Sequence, residues 1–192
     1  LLASSAASDV YKRQEECLEA LEEGLRELNV NMEKLSIFFT HLHSDHCGLV
    51  NKLINDKTEI YMGRIDYEYL KGNLEGDNWN KIEERFAQEG FPNDVIMRLR
   101  DTNQARKYAP NRIFNATLLE DRDKFKIGDI EFTVILTPGH TPGHTCLYIE
   151  EKKIIFSGDH ILFDITPNIM VWLNMKNSLR DYLAVSYTHL RA

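Results

Sequence analysis

The chain predicts a single mixed α/β domain, and three observations carry that prediction. Short apolar runs rich in β-branched and aromatic residues alternate with stretches whose apolar residues recur at helical spacing, as in a sheet faced by helices. Three of those runs end in histidine or aspartate: Ile37-Phe38-Phe39 before His41, residues 130–136 before His140, and Ile154-Ile155-Phe156 before Asp159. With 192 residues, the chain is long enough for one proper core carrying a sub-domain insertion.

Taken in order, residues 15–28 place Leu18, Leu21, Leu25 and Leu28 at helical spacing with glutamates between them, a surface helix with one buried stripe. Residues 29–35 connect it to a strand at 36–40, whose apolar content predicts a buried, parallel position. Residues 48–54 predict a helix that starts directly after the histidine cluster, and residues 59–62 a second strand. Between about 65 and 111 the character changes to a helical insertion. There Trp79, Ile82 and Phe86 share a helix face that Asp77 caps and Gly90 ends. Pro92 opens a further helix with Val95, Ile96 and Leu99, and Pro110 closes the region. An insertion of this size between strands serves as a lid or substrate wall, or simply packs. Arg98, Arg100, Arg106 and Lys107 on it either meet an anionic substrate or, the preferred reading, form a solvated face. Strands return at 124–127, 130–136, 146–149 and 154–156, the first two joined by a Gly128-Asp129 turn and the last read as buried. A final helix begins near Asn177 with Leu179, Tyr182 and Leu183 on its buried face.

The chemistry concentrates at Thr40-His41-Leu42-His43-Ser44-Asp45-His46. Of seven histidines in the chain, three fall in these six positions from 41 to 46, together with an aspartate. Neutral imidazole and carboxylate are the donors that zinc and similar divalent ions select. A polar loop that happens to be rich in histidine is the plainer alternative, but the chain supplies further donors at the two other strand ends. Gly139 and Gly158 stand beside His140 and Asp159, letting the backbone turn sharply there. Three such ends in one sheet are expected to converge on one point.

These motifs resemble the metallo-β-lactamase superfamily. Its His-x-His-x-Asp-His motif stands at 41–46, its Thr-Pro-Gly-His motif at 137–140 and its Gly-Asp motif at 158–159. The resemblance implies a four-layer αββα sandwich, here truncated at both ends and carrying the helical insertion, over residues 15–185. It implies that His41, His43 and His140 hold one metal, that Asp45 and His46 hold a second, and that Asp159 bridges them. Asp45 is then the catalytic residue that orients the attacking water. The family's last ligand, a histidine beyond the final helix, has no counterpart before residue 186. His144 matches a position that glyoxalase II-like members fill with histidine, and supports the ligands rather than binding. His160 and Cys47 match no ligand and are read as local packing. His46 disfavours relatives with arginine there, and His43 disfavours the flavodiiron branch.

Residues 1–14 and 186–192 resemble translated sequencing-adapter read-through at the ends of metagenomic fragments and are set aside as non-native tails, His189 with them. The natural protein is expected to continue in both directions. The formal charge of −7 gives no footprint for nucleic acid. No apolar run approaches a membrane span. Three scattered cysteines argue for a reducing compartment, hence the cytoplasm. The expected function is a glyoxalase II-like hydrolase of a small thioester or ester, using two Zn2+ per complete chain, with iron or manganese as substitutes. The alternatives are a phosphodiesterase or RNase with the same centre, a mononuclear iron persulfide dioxygenase, and a non-catalytic binding protein. The residues leave the oligomeric state and the identity of the small-molecule substrate open.

Overall fold

The computed structural model describes residues 14–189, the last by its backbone alone. Helix α1 (Glu15–Glu27) leads through a short turn to strand β1 (Ser36–Phe39). Its leucines at 18, 21 and 25 are half-buried, while Leu28, past its end, is exposed. Two single turns follow, α2 (Ser44–Cys47) and α3 (Val50–Leu53), then β2 (Glu59–Gly63). The metal-type motif is therefore itself partly helical, and the helix predicted from 48 starts four residues earlier and breaks at Gly48-Leu49.

Four helices come next: α4 (Arg64–Leu74), α5 (Asn78–Gln88), α6 (Asn93–Thr102) and α7 (Gln104–Lys107). Asp77 precedes α5, but its side chain pairs with Lys81 rather than capping the helix. Arg100 and Arg106 both pair with Glu83 on the neighbouring helix, so these cations serve the insertion itself.

The remaining strands are β3 (Thr117–Leu119), β4 (Lys124–Ile127), β5 (Ile130–Leu136), β6 (Thr145–Ile149) and β7 (Ile154–Phe156), before helix α8 (Ser178–His189). β3 was not foreseen, being three residues long. Helix α8 begins where expected, but Leu179 and Leu183 are exposed, and of the three named residues only Tyr182 turns inward. Residues 186–189 continue this helix.

The strands form two sheets, not one. β1-β2-β3 is parallel throughout and β4-β5-β6-β7 antiparallel throughout. Alternation along each strand of the parallel sheet explains the layers. Ile37, Phe39, Ile60 and Met62 point to one side, packing with Val50, Leu70, Phe114 and Trp172. Phe38, Tyr61 and Leu119 point to the other, meeting Phe125, Phe132, Val134 and Leu147 of the antiparallel sheet. Stacked rings of Tyr61 and Phe125, 4.4 Å apart, bridge the two sheets. β7 is an edge strand, and Ile154 and Ile155 are exposed where burial was expected.

Candidate metal centre

β5 and β7 both run antiparallel to β6, so they share a direction and their carboxyl ends emerge at one edge. The amino end of β6 lies at the same edge. There the Thr145 amide donates to the Thr40 carbonyl just after β1 (2.8 Å), joining the two sheets. The histidine motif after β1 and the loop after β5 thus meet, although they belong to different sheets.

The structure brings five of the six sequence-predicted residues into two overlapping donor sets, with Asp45 beside His46. His41 Nε2 lies 3.1 Å from His43 Nδ1 and 3.3 Å from His140 Nε2. Asp159 Oδ1 is 3.2 Å from His46 Nε2, and its Oδ2 is 3.4 Å from His140 Nε2. Asp45 Oδ2 stands 3.7 Å from His46 Nε2. Two donor sets each close to within 4.8 Å: His41 with His43 and His140, and His41 with His46 and Asp159.

Burial keeps four of the imidazoles neutral. It lowers His41 and His144 well below the usual histidine value, brings His43 to about 3, and lowers His140 as well; the neighbouring rings deepen the shift for His41, His43 and His144. Burial is the largest single influence and pushes the Asp159 carboxyl up, but the His46 hydrogen bond and the attraction of the neighbouring rings together outweigh it and the group stays below the ordinary carboxylate range.

The proton inventory shows what this cluster fits. His140 Nδ1 donates to the Asn168 carbonyl (2.8 Å), so in the neutral ring Nε2 carries a bare lone pair. That lone pair faces His41 Nε2 and the Asp159 carboxylate. One N–H on His41 can satisfy only one of its two ring neighbours, which leaves acceptors facing acceptors. A divalent cation removes that conflict, and these are nitrogen and oxygen donors suited to one.

Supporting contacts fix the rings. Trp172 donates from Nε1 to the His140 carbonyl (3.1 Å), and its ring stacks on His43 at 5.7 Å. His144 Nδ1 bonds Thr137 Oγ1 at 2.7 Å, which fits a supporting position. His160 is buried against Tyr182, whose hydroxyl donates to its carbonyl, and Cys47 Sγ donates to the Leu42 carbonyl. Trp172 and Asn168 were missed from sequence because the segment carrying them has no periodicity. Asp66, a buried carboxylate between the two histidine loops, was missed because a lone aspartate after a strand looks like any helix start.

A sandwich of α and β layers with a histidine and aspartate cluster on one edge defines a class of metal-dependent proteins. The family model of the metallo-beta-lactamase superfamily matches residues 34–189, and the chain belongs to that superfamily. It is 27% identical over 146 residues to the human acyl-coenzyme A thioesterase MBLAC2, covering 75% of this chain and 46% of that protein. It is 29% identical over 147 residues to the hydroxyacylglutathione hydrolase GloC of Haemophilus influenzae, covering 76% and 57%. A metallo-beta-lactamase family protein of Thermus thermophilus superposes with a TM-score of 0.75 at 24% identity, covering 92% of this chain and 58% of that one. The chain therefore spans about half the length of these relatives. The α/β fold implied by the motifs is the fold of these neighbours.

Proposed function

We propose that the chain carries the metal centre of a hydrolase that turns zinc-activated water on a small thioester or ester. The observation that carries this reading is the convergence of neutral ring nitrogens and one low-pKa carboxylate from three strand ends. The relatives named as an acyl-coenzyme A thioesterase and a hydroxyacylglutathione hydrolase support the thioester class.

In this reading His41, His43 and His140 would hold one ion, Asp45 and His46 would contribute to a second, and Asp159 would serve both. Bound zinc supplies a Lewis acid for the carbonyl and lowers the pKa of water towards neutrality. Asp45 orients the attacking water and accepts its proton. Trp172, pressed on His43 and bonded to the His140 backbone, keeps both rings at fixed angles. The three cysteines are buried and none forms a disulfide, which accords with a cytoplasmic setting. Among the described residues no helix is long and apolar enough to cross a membrane.

The test is elemental analysis of the purified protein, followed by thioester, ester and phosphodiester panels. About two zinc ions per complete chain, with thioester turnover, is the expected result. Iron at one per chain with oxygen uptake would replace hydrolysis by dioxygenase chemistry, and no bound metal would overturn the centre.

A further inference from the structure

We propose that Asp66 is a positioning residue whose carboxylate clamps the two histidine loops at the spacing a shared cation needs. The proposal rests on the metal reading above, and extends it to a residue outside the donor set. Asp66 sits in the first turn of α4 and is fully buried. Its Oδ2 accepts from the Leu42 amide (3.0 Å) and the Thr141 hydroxyl (2.6 Å), and its Oδ1 from the Gly143 amide (2.6 Å). Leu42 lies between His41 and His43, Thr141 follows His140, and Gly143 precedes His144. One side chain thus grips both loops that supply the first donor set.

Two further observations point the same way. A Cβ on Gly143 would lie 2.4 Å from the Asp66 amide nitrogen and 2.7 Å from Ile65 Cβ, so this loop is pressed directly on the start of α4. A Cβ on Gly63 would meet the Gly143 carbonyl at 2.9 Å, so both sides of the approach require glycine. The three donors are neutral, so the carboxylate is buried without a cation; the helix N-terminus and three short hydrogen bonds offset its lost hydration. That arrangement is costly for packing alone. It is well suited to holding two backbones rigidly, because one planar group receives a donor from each.

Asp66→Asn keeps the shape but turns an NH2 donor towards one of the three donors, so one loop must move. Zinc affinity, read by competition with a chromophoric chelator, should fall roughly ten- to hundredfold, as when groups that orient metal ligands are changed. The cobalt(II) form should show altered visible absorption. Thr141→Val, which removes a single hydrogen bond, should weaken zinc binding by about threefold to tenfold. Leu70→Ala, a core truncation on the same helix, should lower thermal stability yet leave zinc affinity of the folded protein within about twofold. Wild-type affinity and an unchanged cobalt spectrum in folded Asp66→Asn would overturn the clamp. So would an equal loss of affinity in Leu70→Ala. If Asp66→Asn does not fold, Thr141→Val decides by the same criteria. A wild-type chain that binds neither zinc nor cobalt would instead defeat the metal reading. Amide exchange at Leu42 and Gly143 then tests the clamp alone, and equal rates in wild type and Thr141→Val would sink it.

Discussion

His41 is fully buried with its Nε2 facing two other rings and a carboxylate, so its loss removes the one donor common to both sets. His41→Ala should therefore abolish stoichiometric zinc binding, whereas His46→Ala should leave one ion per chain; elemental analysis of the two variants separates these outcomes. Under the proposed mechanism, in which Asp45 acts on the attacking water, Asp45→Asn should lower kcat for a thioester about a hundredfold or more with a smaller effect on KM. The cysteines are different in kind. Burial pushes the Cys47 thiol up strongly and Cys146 to about 11. Because the thiolate is the nucleophile, both should resist alkylation at pH 8 in the native protein and react after unfolding, as mass spectrometry would record. At this scale the sequence was informative: the histidine motif and the two other strand ends, with the resemblance they carry, pointed to the five residues of the two donor sets, and Asp45 stands beside His46 outside them. Asp66 escaped because its importance lies in three hydrogen bonds to distant backbone and hydroxyl groups, which no local pattern encodes.

Elements were legible in proportion to their local signal. The β4–β5 hairpin was read correctly because Gly128 takes φ +58° in its turn and the flanking residues alternate. β7 was recognised as a strand but wrongly buried, since apolar content reports strand propensity and not the position of a strand in its sheet. The outward leucines of α8 fail in the same way. Among its inward residues is Tyr182, whose backbone presses on Gly139, where φ is +140°. A Cβ at Gly139 would lie 2.3 Å from Tyr182 Cβ and 2.6 Å from its Cα. Gly139→Ala should therefore displace the His140 loop, lowering the urea midpoint and zinc affinity together, and an unchanged midpoint would contradict this packing. Gly128→Ala, open to solvent, carries only the strain of positive φ and should cost about 1 kcal/mol without affecting the metal.

Across the whole molecule, the two-sheet sandwich was legible through the resemblance of the motifs, but the order and pairing of the strands were not, because they depend on contacts far apart in sequence. The motifs still led to the right edge, since parallel β1 and the like-directed β5 and β7 all end there. The pH dependence also belongs to this scale. Four imidazoles, His41, His43, His140 and His144, have folded pKa values below the unfolded 6.5. The unfolded chain therefore binds more protons, and their stabilisation is lost as pH falls below about 6.5. Asp66 opposes this, because burial raises it to about 6 and its folded form keeps a proton that the unfolded chain releases. Four against one leaves the unfolded chain with the larger share of protons, so stability falls as the pH drops below about 6. Urea midpoints of the chelator-treated protein should fall steeply over that range, and a flat profile would show the rings are not buried neutral. His41 and His140 stand 99 positions apart in the chain. The first donor set therefore cannot exist on a nascent polypeptide until the ribosome has released residue 140, and closing so long a loop is slow. Under the proposed metal reading, ion capture follows that late event, so newly made chains pass through a metal-free interval in which competition among cellular cations, and not affinity alone, decides which metal is taken.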